Sequence, residues 1–166
     1  MTMYVPKKLQ ENFELIEENH GDNILVTGAI SCCESRDFII SYSGDLEKTL
    51  FGHKYISGEY NHVGLLAKCK NCGKEISLFN GYTDGYDNCV LGLHDVLPSL
   101  NYYDFICDKC KRNYFSIEIC FEYQSREELE EIGIQEYENA FSWIWISVVC
   151  SSCKKKYEDL IDIETA

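Results

Sequence analysis

The chain has 166 residues, enough for one domain or two small ones sharing a core. Hydrophobic residues at 45% and aromatics at 13% exclude wholesale disorder. A formal charge of −13 argues against nucleic acid or an anionic membrane as a partner over most of the surface, and suits a basic partner instead.

Residues 1–19 carry Lys7, Lys8 and four glutamates (Glu11, Glu14, Glu17 and Glu18), with no apolar stretch of the signal-peptide kind. The longest apolar run, Phe141 to Cys150, is half of what a bilayer span requires. A cytoplasmic setting with no membrane partner is therefore expected. There, clustered cysteines bind metal more often than they form disulfides.

Leu9 to Asn19 reads as a short acidic amphipathic helix, with Leu9, Phe13 and Ile16 on one face. Beyond Gly21 the texture changes to strands. Ile24 to Ile30 is apolar and β-branched, and Arg36 to Ser43 sets Phe38, Ile40 and Tyr42 on one face. Val63 to Ala67 leads into Cys69, and Glu75 to Phe79 follows Cys72. Asn80 to Asn101, with Gly81, Asp84-Gly85, Gly92 and Pro98, reads as a long connection. From Asn113 to Tyr123 the odd positions Phe115, Ile117, Ile119, Phe121 and Tyr123 are apolar, which predicts a strand with one buried face. Ser125-Arg126-Glu127-Glu128 has the form of a capping box and predicts a helix to about Asn139. Phe141 to Val149 and Tyr157 to Ile163 read as the last strands.

The two halves repeat a plan. Cys33 and Phe38 are spaced like Cys110 and Phe115, and Cys72 and Ile76 like Cys153 and Tyr157. The fold class expected is a β-rich α+β protein of two tandem zinc-ribbon-like units, with an N-terminal helix and one inserted helix. The expected boundaries are a helical segment at 1–22, a first unit at 23–88, a connection at 89–101 and a second unit at 102–166.

Ten cysteines carry the chemistry. Cys69-Lys70-Asn71-Cys72, Cys107-Asp108-Lys109-Cys110 and Cys150-Ser151-Ser152-Cys153 each place two sulfurs on one tight turn. Two such turns complete a tetrahedral thiolate site. Such a site favours zinc over hard ions, with iron the main competitor. Two zinc ions are expected. One lies at Cys107, Cys110, Cys150 and Cys153, and the other at Cys32, Cys33, Cys69 and Cys72. Adjacent cysteines in a strand point to opposite sides, so Cys32 and Cys33 share one ion only if their turn is distorted. His53 or His62 is the alternative ligand there. A disulfide or a redox pair remains open, although these turns lead into strands rather than helices. Cys89 and Cys120 read as packed thiols. Nine of the fifteen Lys and Arg residues crowd the cysteine turns. They read as stabilisers of thiolate charge or, alternatively, as a local basic patch.

Lys68-Cys69-Lys70-Asn71-Cys72-Gly73-Lys74, followed by Leu78-Phe79-Asn80 and Asp84-Gly85-Tyr86-Asp87, resembles a group of uncharacterised bacterial zinc-ribbon proteins. The likeness covers a minor part of the chain, and Cys32-Cys33 departs from the spaced pair expected there. It implies metal binding and no particular activity.

For catalysis, His94-Asp95 and the Asp84 to Asp87 turn are the candidates, in the long connection. His20, His53 and His62 fit no ligand motif, and neither a phosphate loop nor a nucleophile elbow is present. The favoured reading is a zinc-binding protein-interaction module, an acidic inhibitor or immunity-type protein for a basic protein partner. The acidic helix after Ser125 and the C-terminal Glu158, Asp159, Asp162 and Glu164 would supply the surface. A nucleic-acid-associated zinc ribbon and a metal-dependent or redox enzyme stand as alternatives.

Overall fold

A computed structural model describes residues 4–94 and 100–166. Asp95 and Pro98 lie outside the described residues. A turn at Lys7–Leu9 buries Leu9, and the first hairpin then joins β1 (Phe13–His20) to β2 (Ile24–Ile30). β3 (Phe38–Ser43) precedes a small separate hairpin of β4 (Asp45–Lys48) and β5 (Lys54–Ser57). β6 (Gly64–Cys69) and β7 (Glu75–Asn80) flank one cysteine turn. The helix α1 (Tyr86–Leu91) and the two-residue β8 (Tyr103–Asp104) follow. The long β9 (Tyr114–Tyr123) leads to the helix α2 (Arg126–Glu131), and β10 (Trp143–Cys150) and β11 (Lys156–Glu164) close the chain.

All but β4 and β5 join one curled, nine-stranded antiparallel sheet organised on β9. Its strict alternation buries Phe115, Ile117, Ile119, Phe121 and Tyr123 on one face. β10 pairs with β9 along its whole length on one side, Cys150 opposite Phe115 and Trp143 opposite Glu122. The other side is shared: β3 takes Tyr114 and Phe115, and β2 takes Glu118 to Tyr123. Register shifts at Leu15/Glu17, Leu65/Leu66 and Ile146/Val148 bend the strands and add twist, which lets the sheet close around one core. Phe79, Phe121, Tyr123 and Phe141 fill one end of that core, and Phe105, Phe115 and Tyr157 the other. Among the described residues, no helix is long and apolar enough to cross a membrane.

Three expectations are corrected. Among the described residues there is no N-terminal α-helix, only the short turn at Lys7–Leu9. Phe13 to His20 is a strand, because the hairpin closing over Gly21–Asn23 gives it β2 as a partner. Leu9, Phe13 and Ile16 share no face. Leu9 is buried, Phe13 lies over Gly28, and Ile16 is 59% exposed at the bulge. The α+β plan of two tandem zinc-ribbon-like units gives way to one mostly β sheet, since β9 of the second half pairs with both β2 and β3 of the first. The inserted helix has its capping box, with Glu128 N donating to Ser125 Oγ (3.3 Å) and Ser125 N to Glu128 Oε2 (3.1 Å). It ends at Glu131, not Asn139, because Gly133 turns the chain at a φ of +82°.

The matching intervals have a different cause. β3 and β9 meet antiparallel at their first residues, Phe38 opposite Phe115. On their outer flanks Phe38 faces Cys69 and Phe115 faces Cys150. The halves are therefore related by an approximate two-fold axis inside a single sheet.

Candidate metal centres

The three Cys-x-x-Cys turns share one backbone design. The first cysteine's N–H donates to a carbonyl five residues on: Cys69 to Lys74, Cys107 to Arg112 and Cys150 to Lys155, each at 2.9 Å. Its carbonyl accepts from the residue four on, namely Gly73, Lys111 and Lys154, again at 2.9 Å. That fourth residue is left-handed, with φ of +73°, +63° and +66°. Glycine takes this conformation freely, whereas lysine does so at a cost of about 1 kcal/mol. The turn aims both sulfurs to one side.

Cys32 and Cys33 reach the same result by another route. Cys32 N donates to Ser35 O (2.9 Å) and Ser35 N to Cys32 O (2.8 Å), closing a two-residue hairpin. Its central residues Cys33 and Glu34 have φ of +53° and +62°, as a type I′ turn requires. This is the distortion that lets adjacent cysteines face one point.

Two tetrads result, Cys32, Cys33, Cys69, Cys72 and Cys107, Cys110, Cys150, Cys153. Within each, all four sulfurs lie within 4.8 Å of one another. Cys32 Sγ is 3.8 Å from Cys33 Sγ and 3.6 Å from Cys72 Sγ. Cys107–Cys153 and Cys110–Cys150 are both 3.5 Å. A tetrahedron with metal–sulfur bonds of about 2.3 Å has edges of about 3.8 Å, whereas a disulfide holds its sulfurs at about 2.05 Å. All ten cysteines are free thiols. The donor set and its spacing fit one thiolate-bound cation in each tetrad.

The electrostatics describe centres that want a cation. Burial and the neighbouring Cys72, Cys33 and Cys69 push the Cys32 thiol up to about 12. The Lys74 N–H, then Cys33 and Cys32, lower Cys72 to about 7. In the second tetrad burial opposes ionisation of Cys107. The Tyr157 hydroxyl, the Cys110 and Lys109 N–H groups and Cys153 outweigh it and bring the thiol down to about 6. Arg112 N–H pulls Cys110 down, but burial and the other sulfurs raise it to about 11. Four anionic sulfurs this close repel one another, and a dication removes that repulsion.

The second centre has a supporting shell that the cysteine spacing did not reveal. The single hydroxyl proton of Tyr157 goes chiefly to Asp108 Oδ1 (2.5 Å), with Cys107 Sγ also in reach of it (3.4 Å), and the oxygen accepts from Asp108 N (3.0 Å). Lys155 (2.7 Å) and Lys54 (3.3 Å) hold the same carboxylate. Lys155 and Tyr157, helped by Lys54, keep the Asp108 carboxyl well below its ordinary range despite partial burial. The first centre is more open, with Cys33 and Cys72 exposed. Asp37 joins the two. Its carbonyl accepts from Lys70 N (3.0 Å) and its carboxylate from Ser151 Oγ (2.6 Å).

The other candidates lie elsewhere. His53 Nε2 contacts Glu158 O (2.6 Å), and His62 faces Glu59 at 3.7 Å, so neither histidine belongs to a tetrad. His94 lies 3.8 Å from Glu136. Burial, then Asp84, Glu136 and Glu138, push Cys89 up to about 12, and burial also raises Cys120. Neither is an activated nucleophile. Of the turn lysines, Lys70 lies over the Tyr114 ring at 4.5 Å, Lys74 faces Glu11 at 3.8 Å and Lys156 faces Glu158 at 3.7 Å. Asp84, the other loop candidate, takes Asn80 N at 2.8 Å and pairs with Lys8, which orders the loop ahead of α1. No family model, curated protein or solved structure matches the chain.

Proposed function

We propose that each tetrad holds a zinc ion and that the protein acts as a zinc-stapled interaction module for a basic protein partner. The observation that carries the metal reading is the pair of all-sulfur tetrads with tetrahedral spacing. Four thiolates leave no open coordination position, which is the pattern of structural rather than catalytic zinc. The −13 charge supports the partner's sign. An inhibitor of the immunity type, acidic and neutralising a basic protein, is the simplest protein of this description.

Native mass spectrometry of protein purified without chelator tests both parts. We expect two ions of zinc mass per chain, one lost in Cys33→Ser and the other in Cys110→Ser, together with a retained basic protein. Iron mass, or no metal, would overturn the zinc reading. Retention of nucleic acid alone would overturn the interaction reading.

A further inference from the structure

Where β2, β9, β10 and β11 lie side by side, their outward residues form a face distinct from both metal centres. Trp143 and Trp145 stand at its middle, stacked at 5.5 Å with rings only 10° from parallel. Both are half-buried in a strand whose alternate residues are fully buried. The Trp143 indole donates to Asp162 Oδ1 (2.7 Å), which fixes the ring in place. Carboxylates flank the pair in register: Glu122 on β9 and Glu164 on β11 lie opposite Trp143, and Asp162 lies opposite Trp145. Beyond Trp143 an open cavity of about 510 Å³ adds Glu128 and Glu131. Among the described residues, no Lys, Arg or His forms an ion pair with any of these five carboxylates.

Two rigid parallel indoles cost little entropy to bury, and such residues dominate binding energy at protein interfaces. Indole faces attract cations, and a planar guanidinium both stacks on them and pairs bidentately with carboxylates, which a lysine ammonium does not. We propose that this face is the docking surface for the arginine side chains of a protein partner, which lie over Trp143 and Trp145 and pair with Glu122, Asp162 and Glu164. The proposal rests on the basic-partner reading above and adds where that partner sits and which side chain it presents.

These two residues are the only tryptophans in the chain, so tryptophan emission, excited at wavelengths that its twelve tyrosines do not absorb, reports on this face alone. The probes are a short synthetic arginine–glycine peptide and its lysine counterpart, titrated into the metal-loaded full chain. The arginine peptide should change the emission saturably and bind about tenfold tighter than the lysine peptide. By anisotropy of the labelled peptide, Trp145→Ala should weaken binding about tenfold. Asp162→Asn, which keeps the volume and an acceptor for the indole, should weaken it several-fold with an unchanged melting temperature. Equal binding of both peptides with unaltered emission would overturn this surface while leaving the basic-partner reading in place. Binding of neither peptide would overturn both. A single-stranded oligonucleotide that changes the emission at lower concentration than the arginine peptide would overturn the proposal in favour of base stacking.

Discussion

Replacing Tyr157 by Phe isolates one hydroxyl beneath the second metal centre. The ring stays, so its edge contact with Phe105 (5.0 Å between centroids) and its packing on Phe115 survive. What is lost is a donor to the Asp108 carboxylate and the Cys107 sulfur and an acceptor for Asp108 N–H. Burial, with the bonds to Asp108 and Cys107, holds this phenol's pKa above its ordinary value, so it stays a donor throughout the working pH range. A hydrogen bond to a charged group contributes about 1.5–3 kcal/mol, and an orphaned N–H costs about 1–3 kcal/mol. Lys155 and Lys54 still hold the carboxylate, so the low ends apply and the total loss is about 2–3 kcal/mol. Outer-shell substitutions of this kind typically weaken a metal by about 10–100-fold. Chelator competition followed by mass spectrometry should show that loss at the second tetrad only, with the first unchanged. Unaltered affinity at Cys107, Cys110, Cys150 and Cys153 would refute the supporting role. Equal weakening of both tetrads would show that the hydroxyl serves the fold as a whole.

Two further expectations test other parts of the structure. A Cβ at Gly81 would lie 1.7 Å from Tyr60 O and 3.1 Å from Val63 O, both backbone atoms, so Gly81→Ala should destabilise by about 3 kcal/mol or more in denaturant titration. Asp159, left-handed at φ +48° in the β11 bulge, has a pKa raised by burial and by Asp162 and Glu158. A raised carboxyl pKa penalises the fold once the group is ionised in both states, and the penalty disappears below the unfolded pKa. Asp159→Asn should therefore raise the melting temperature at pH 7, by an amount that shrinks as pH falls toward the ordinary carboxylate range. A pH-independent gain would show that only the turn conformation, which suits Asn, had improved.

Strand positions were legible wherever a buried face is written as alternation, and β9 is the clearest case. The turn at Cys107–Cys110 was legible because two residues between cysteines suit only a tight turn, and its left-handed Lys111 follows from that geometry. The Cys33-Glu34 turn left no such trace, because type I′ turns favour Asn-Gly and neither residue stands there. Leu9, Phe13 and Ile16 match a helical face by spacing alone. What decides for strand is β2, through hydrogen bonds that periodicity within one segment cannot register. The early end of α2 did leave a signal in Gly133, a residue that favours helix termination. Lys155 was marked by the crowding of cations at the cysteine turns, but its convergence with Tyr157, Asp108 and the distant Lys54 depends on pairing between strands that no local pattern records.

The position of β9 has a consequence for how the protein is made. β2 and β3 leave the ribosome long before the strand both of them need, and until it emerges β2 has only β1 beside it and β3 only β6, so the edge of each that β9 will cover stays unpaired. Loop-closure entropy must be met before those pairings return anything, so folding should be slow by the standards of small domains. The waiting N-terminal strands are then the segments most exposed to aggregation. Of the two tetrads, only that of Cys32, Cys33, Cys69 and Cys72 is complete before β9 is synthesised. A metal ion captured there can clamp the β3–β6 pair in advance and shorten the search that β9 completes.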